Sequence, residues 1–373
     1  MTHAEFRSVQ RFPALDGLRG IAAVMVVLFH YGGPTWEWLN GWVGVHIFFV
    51  LSGFLITTLA LREEERRGRL SLGNFYIRRA ARILPVYYVV LGVFAGVIWA
   101  RAEWESSGLG RVIGHYLTFN GEFVGPGQPH GHVWTLGIEQ KFYLVWPVLA
   151  FAAVLGATRR AALTSALLAL LVSLCIVDSL FVSYFPIVVG CLLALALHSR
   201  RGFRALAILT RPRAAIVTAI SFAAVHLLIP LEIEVLGDDG QVILVYSAAV
   251  SLFLVSLLGR GPVGWLLSRR PVTFVGDRSY SLYLVQGLAG IVVAEVVPAL
   301  ATHRTITAAA VLAVSVLLAD LLYRWVERPF IELGRRAARF PRRDPGVAEA
   351  PGTAIPQVPE TARGGLVAPS ADR

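Results

Sequence analysis

Three ionisable residues, Asp16, Arg19 and His30, lie in or beside the first apolar stretch of the sequence. In an α-helix the step from Arg19 to His30 ends about 20° past three full turns, and Asp16 falls on the same face. His30 then lies roughly 16 Å from Arg19 along the helix axis. The alternative is that Asp16 and Arg19 mark the helix entry and that His30 snorkels at the far boundary. For each residue alone that alternative is favoured, and the shared face shifts the balance modestly toward a functional role.

A second candidate is Glu139, in the run Trp134–Glu139 at the start of a later apolar segment. The topology given below puts it near the depth of His30. A buried carboxylate there can hold a histidine in one tautomer and raise its basicity, as an orienting group does for a base. An exposed carboxylate at a helix N-terminus, favoured by the helix dipole, is the alternative. The spacing alone does not decide between them.

A third candidate is the pair Arg79 and Arg82, which precedes Pro85. Residues three apart share a helical face, and two guanidinium groups in that geometry can clamp a phosphate. Ordinary anchoring by positive residues beside a membrane is the alternative, and composition alone favours it. Tyr280, Ser281 and Tyr283 allow two interpretations as well, since they either line a polar cavity or simply belong to an interfacial aromatic group.

The composition shows what kind of molecule must position these groups. Of the 373 residues, 56% are apolar and only 16% are charged, with a mean hydropathy of +0.64. Soluble proteins carry about a quarter charged residues. The net charge of +10 comes almost wholly from arginines clustered between apolar segments, which argues against a nucleic-acid partner. Cys175 and Cys191 offer neither a disulfide framework nor metal-ligand spacing. The sequence therefore predicts a polytopic membrane protein.

The fold class that we predict is all-α, a bundle of about ten transmembrane helices with both termini cytoplasmic. With this orientation, 30 of the 34 Lys and Arg residues fall on the cytoplasmic side, as the positive-inside rule requires. No cleavage site follows the first apolar run, so we expect a retained first helix. The predicted spans are 15–32, 42–61, 84–100, 139–156, 161–178, 182–198, 214–230, 241–258, 279–298 and 306–323.

The chain divides into three predicted parts. Residues 1–11 form a cytoplasmic N-terminal segment, and residues 12–333 form the membrane domain. Residues 334–373 form a tail that is basic at first and then rich in Pro, Ala and Gly, a composition typical of disorder. The longest outer loop, roughly 101–133, contains His130 and His132 and is expected to fold over the outer mouth.

Six ordered motifs resemble those of the integral-membrane acyltransferase family 3, whose members transfer acyl groups to hydroxyls of sugars and related acceptors. Each motif is loose alone, but the ordered set spans roughly residues 12–330. The motifs are Leu15–Gly20 followed by Phe29-His30, Phe48–Thr57, Arg79–Pro85, Trp134–Pro147, Ser279–Leu284 and Val326–Phe330.

The resemblance implies a role for each candidate residue. It makes His30 the general base and Arg19 its companion. It makes Arg79 and Arg82 the contacts for the phosphates of an acyl-CoA donor, with acetyl-CoA expected and no metal required. Glu139 becomes a carboxylate of the site. The implied reaction is acyl transfer from acyl-CoA to a cell-envelope glycan, a glycolipid or a glycosylated secondary metabolite.

Two positions depart from the family pattern. His46 stands where an aspartate is common, and Gln286 lies near the position of a common histidine, so the acceptor side is expected to be unusual. The sequence ends without the esterase-like domain that some relatives carry, so we expect any acyl relay to use a separate acyl-relay or glycan-assembly protein, or none. A transporter or flippase for a glycan or lipid-linked sugar is the alternative function, although we see neither inverted repeats nor paired broken helices.

Overall fold

The computed structural model describes residues 1–125, 127–152, 155–175, 179–237, 239–302 and 304–338. Within these ranges the regular structure is helical and contains no strand. A π-helical turn, Tyr323–Glu327, joins the last two helices. The α-helices are α1 His3–Ser8, α2 Pro13–Tyr31, α3 Gly44–Arg67, α4 Leu72–Ala100, α5 Leu109–Leu117, α6 Trp134–Phe151, α7 Ala157–Cys175, α8 Phe185–His198, α9 Arg200–Leu206, α10 Pro212–Leu227, α11 Ile229–Leu236, α12 Asp239–Leu257, α13 Pro262–Leu267, α14 Arg270–Asp277, α15 Ser279–Val296, α16 Arg304–Leu322 and α17 Arg328–Ala337.

In the described part of the chain, eight helical stretches are long and apolar enough to cross a membrane. A ninth is added if the bent pair Arg200–Thr210 and Pro212–Leu227 counts as one span. The prediction of an all-α membrane bundle is confirmed. The predicted span 139–156 corresponds to α6, which is less apolar because Glu139, Gln140 and Lys141 interrupt it. The eight stretches are Pro13–Tyr31, Gly41–Arg67, Leu72–Ala100, Ala157–Cys175, Leu180–His198, Asp239–Leu257, Ser279–Val296 and Arg304–Ala337.

Helices α3 and α8 pack against each other through glycines. A Cβ atom placed on Gly53 would lie 1.9 Å from the carbonyl oxygen of Ile187, and one on Gly190 would lie 2.2 Å from that of Val50. Small residues let membrane helices approach closely enough for their backbones to touch. This contact fixes the position of α3, which carries one wall of the candidate site.

The N-terminal end of α2 is held by α14. A Cβ atom on Gly276 would lie 1.9 Å from the carbonyl oxygen of Asp16, so no larger residue fits there. Arg11 bridges the two helices, with its guanidinium 2.7 Å from the carboxylate of Asp16 and 2.5 Å from that of Asp277. The backbone around Arg19 is therefore set by direct helix contact.

The described part of the outer loop packs onto the bundle. Tyr87 of α4 donates a hydrogen bond to the carbonyl of Tyr116, and Tyr116 donates one to the carbonyl of Pro129, both at 2.8 Å. Glu122 pairs with Lys141 of α6. Of the predicted tail, residues 339–373 lie outside the described residues.

Candidate active site

A cavity of about 540 Å³ lies among α2, α3, α4, α6 and α15. It brings together five charged residues that the sequence analysis selected, although their positions in the chain range from 16 to 139. The five are Asp16, Arg19, Arg79, Arg82 and Glu139. Arg79 and Arg82 lie on α4, which begins at Leu72 and so extends well before the predicted span 84–100.

The cavity arginines Arg19, Arg79 and Arg82 have no hydrogen-bond or ion-pair partner among the described residues. Arg79 instead places its guanidinium over the ring of Tyr143, 5.6 Å from the centroid. The adjacent Arg78 behaves differently, because it donates to the carboxylate of Glu63 at 2.7 Å. Guanidinium groups that lack a protein partner are available to an anion, which they bind through charge-assisted hydrogen bonds. The cavity thus offers an anion site.

Glu139 interacts with a residue that the sequence analysis missed. Its Oε1 accepts a hydrogen bond from the hydroxyl of Ser52 at 2.6 Å, and Tyr143 donates to the same Ser52 oxygen at 3.1 Å. No hydrogen bond joins Glu139 to His30 in the described structure, so the carboxylate orients Ser52 and not the imidazole. Ser52 and Tyr143 lie inside two of the family motifs, Phe48–Thr57 and Trp134–Pro147, and nothing in their spacing predicts their pairing.

His30 lies outside the residues that line the cavity. Its Nδ1 is 2.9 Å from the carbonyl oxygen of Val26 and 3.2 Å from Oε1 of Gln286. Both neighbours are acceptors, so we assign the ring hydrogen to Nδ1, which leaves a lone pair on Nε2. The amide of Gln286 is fixed in turn, because its Nε2 donates to the carbonyl of Tyr283 at 3.1 Å. His30 is thus held in the tautomer that can accept a proton at Nε2.

Two histidines of the outer loop lie beside His30. The ring of His132 is 6.2 Å from that of His30 and 4.7 Å from that of His130, measured between centroids. His130 is only 5% exposed, and neither of its ring nitrogens has a described hydrogen-bond partner. Burial lowers the pKa of His130 to about 4, so its imidazole is neutral near pH 7.

Tyr283 connects the cavity residues with the histidine group His30, His130 and His132. It lines the cavity, where its hydroxyl oxygen accepts a hydrogen bond from Thr135 at 2.9 Å, and the same hydroxyl donates to the backbone carbonyl of His132. Tyr280 lines the cavity as well. Of the two interpretations of these tyrosines, the structure therefore favours cavity lining.

Glu327 is a further cavity residue to which the sequence analysis assigned no role. It is 1% exposed, and one of its oxygens accepts from Ser281 at 2.7 Å. The other oxygen has no described partner. Glu327 ends the π-helical turn, a local geometry that is frequent at functional sites and invisible in the residue pattern.

His46 does not line the cavity. It is buried, and its ring packs edge-on against Trp42 and Phe49 with centroids 5.9 and 6.0 Å apart. Within the described ranges, no group of three or more His, Cys, Asp or Glu side chains is arranged to hold a metal ion.

Comparison with known proteins identifies the class of the chain. The family model for an acyltransferase domain matches residues 12–324. The protein named "Putative peptidoglycan O-acetyltransferase YrhL" from Bacillus subtilis is 29% identical over 89% of this chain and 56% of its own length. "Peptidoglycan O-acetyltransferase OatA" from Listeria monocytogenes is 34% identical over 36% of this chain and 23% of its own.

The chain spans about half the length of the first of these relatives and a smaller part of the second. No solved structure matched it. The family match covers nearly all of the described helices and decides for a transferase over the alternative of a transporter. The chain is therefore a multi-pass membrane protein that belongs to the integral-membrane acyltransferase family 3.

Proposed function

We propose that the protein transfers an acetyl group from acetyl-CoA to a hydroxyl of a cell-envelope sugar, with peptidoglycan as the first acceptor to test. The observation that carries this proposal is the cavity in which Arg19, Arg79 and Arg82, without protein partners, lie beside Glu139. The relatives named as peptidoglycan O-acetyltransferases support the choice of acceptor. Glycolipids and glycosylated secondary metabolites are the other acceptors of the same chemistry.

The donor binds to the arginines. Arg79 and Arg82 contact the phosphates of acetyl-CoA, and each charge-assisted hydrogen bond contributes about 1.5–3 kcal/mol. We place the protein in the cell membrane with both termini cytoplasmic, because the arginine-rich segments then lie inside. Acetyl-CoA accordingly enters from the cytoplasm into the domain formed by residues 12–333.

The acceptor hydroxyl is activated by His30. Its Nε2 takes the proton of the hydroxyl as that oxygen attacks the acyl carbon, a contribution of about 10²–10⁴-fold to the rate. Val26 and Gln286 keep the hydrogen on Nδ1 throughout. Arg19 lies on the same helix as His30 and supplies positive charge to the cavity side of the site.

The test uses the full chain, purified in detergent, with acetyl-CoA labelled in the acetyl group and soluble peptidoglycan fragments. We expect release of CoA thiol together with alkali-labile acetate on the glycan. His30→Ala abolishes both, whereas His115→Ala, a change at an exposed histidine of the outer loop, leaves them intact. Labelling of a glycolipid but not of peptidoglycan would overturn the acceptor assignment. Absence of CoA release with every acceptor would overturn the donor assignment.

A further inference from the structure

Ser52 is one of the hydroxyl residues that line the donor cavity, whereas His30 lies outside that cavity. An acetyl-CoA bound by Arg79 and Arg82 therefore meets a serine hydroxyl within the same cavity. The contacts of the His30 ring include Gln286, Val26 and His132, none of which lines the cavity. The cavity thus holds the anion site and a hydroxyl, and the proposed base lies beyond it.

Ser52 donates its hydrogen bond to a carboxylate on another helix, as Ser281 does to Glu327. Helical serines commonly donate to the carbonyl one turn earlier, as Ser247 does to Ile243 at 2.6 Å and Ser251 does to Ser247 at 2.8 Å. Ser52 donates instead to the carboxylate of Glu139 at 2.6 Å. A hydroxyl hydrogen-bonded to a base is the arrangement of an activated nucleophile.

The surroundings of Ser52 suit a transfer that develops negative charge. Tyr143 donates to the Ser52 oxygen at 3.1 Å, and the guanidinium of Arg79 lies over the ring of Tyr143. Arg19 lines the same cavity. Cationic and hydroxyl donors that are already in place stabilise an oxyanion without reorganising when the reaction occurs.

We propose that Ser52 accepts the acetyl group from acetyl-CoA and holds it as an ester before the acceptor takes it, with Glu139 as the base for this first step. The proposal rests on the proposed function and adds a covalent intermediate to it. It assigns Glu139 a role at the donor side, separate from that of His30.

The transfer has two steps, and each conserves atoms and protons. In the first, the Ser52 oxygen attacks the thioester carbonyl while its proton moves to Glu139. The C–S bond breaks, its electron pair leaves with sulfur, and the thiolate takes a proton from solvent on the donor side. In the second, the acceptor oxygen attacks the ester carbonyl as its proton passes to His30. The C–O bond to Ser52 breaks, protonated Glu139 returns the proton to the serine oxygen, and His30 releases its proton to solvent.

The experiment looks for the ester directly. The purified full chain is incubated with labelled acetyl-CoA and no acceptor, denatured in acid, digested and examined by mass spectrometry. We expect an acetyl group on the peptide containing Ser52, and a burst of CoA stoichiometric with protein. His30→Ala retains the adduct, because only the second step needs His30. Glu139→Gln loses at least nine-tenths of it.

Substitution of the serine gives the matched comparison. Ser52→Ala abolishes the adduct, whereas Ser251→Ala, at a buried serine bonded to its own helix, leaves it unchanged. Ser52→Cys converts the adduct to a thioester that neutral hydroxylamine cleaves, which shows that a folded variant still carries the acyl group at this position.

Two outcomes would overturn the proposal while leaving the proposed function intact. One is acetyl transfer to the glycan with no adduct in either the unsubstituted chain or His30→Ala. The other is an adduct on a different residue that persists in Ser52→Ala. Failure of the unsubstituted chain to release CoA or to acetylate any acceptor is a different result, because it removes the proposed function itself.

Discussion

The side-chain amide of Gln286 contacts the imidazole of His30 and is itself fixed by a hydrogen bond to Tyr283. Its Oε1 lies 3.2 Å from Nδ1 of His30, while its Nε2 donates to the carbonyl of Tyr283 at 3.1 Å. The two contacts fix which way the amide points, so Gln286 presents an acceptor to the ring. Gln286, which lies near the position where the family resemblance implies a histidine, thus positions a histidine on another helix.

Replacing Gln286 with alanine should therefore slow the reaction without weakening the binding of the donor. The loss of one hydrogen bond of about 1–1.5 kcal/mol corresponds to roughly a tenfold fall in kcat. The KM for acetyl-CoA should not change, because Gln286 does not line the cavity. Steady-state kinetics in detergent measures both values. Gln241→Ala, at an exposed glutamine of α12, is the control. A raised KM with unchanged kcat would contradict this positioning role.

Substitution of the cavity arginines Arg79 and Arg82 should weaken donor binding, whereas substitution of the neighbouring Arg78 should not. Arg79→Ala and Arg82→Ala should each raise the KM for acetyl-CoA by about 10–100-fold, which is the effect of losing a charge-assisted hydrogen bond. Arg78→Ala should change it little, because Arg78 is already paired with Glu63. Isothermal titration with CoA provides the same comparison without turnover. Equal effects at all three positions would point to surface charge and against a phosphate site.

The pair formed by Glu122 and Lys141 should stabilise the packing of the outer loop on α6. The Glu122 side chain is fully buried, whereas that of Lys141 is 35% exposed. Lys141→Met leaves a buried carboxylate without its cation and should cost about 3 kcal/mol. The double variant with Glu122→Gln should recover part of that loss. Thermal unfolding in detergent measures both variants, and equal melting temperatures for the single and double variants would refute the coupling.

The stability of the outer loop should depend on pH through His130. Burial lowers its pKa to about 4 from an ordinary value near 6.5. Between these values the unfolded chain binds the proton more readily, so stability should fall as the pH drops from about 6.5 to about 4. The loss is up to about 3 kcal/mol. His130→Phe should flatten the dependence in chemical unfolding at several pH values. An unchanged slope would show that another group titrates.

Much of the architecture follows from the residue pattern. Apolar runs and arginine clusters predict where helices lie, and each predicted span overlaps a helix of the structure. The spacing of Arg79 and Arg82 on one helical face is borne out because α4 extends unbroken through Pro85. The pattern also places Asp16 and Arg19 on one face of α2, and both line the cavity together with Arg79 and Arg82, whereas His30 of the same predicted face lies outside it.

The parts that escaped prediction depend on contacts between distant helices. Ser52 is an ordinary helical residue until α6 brings Glu139 to it across 87 positions of sequence. The predicted depth in the membrane suggests that Glu139 orients His30. Depth along the membrane normal, however, does not tell which helix face a side chain occupies. Glu327 likewise depends on a π-helical turn that residue propensities do not reveal. Sequence patterns locate helices better than they pair side chains.

Arg19 and His30 stand on one helix, α2, whose only proline is at its first residue. Their relative position is consequently set by the number of residues between them. A single inserted residue would rotate His30 by about 100° and move it about 1.5 Å further from Arg19. The interval between these two residues therefore cannot change length freely, even where its individual side chains can be exchanged for others of similar size.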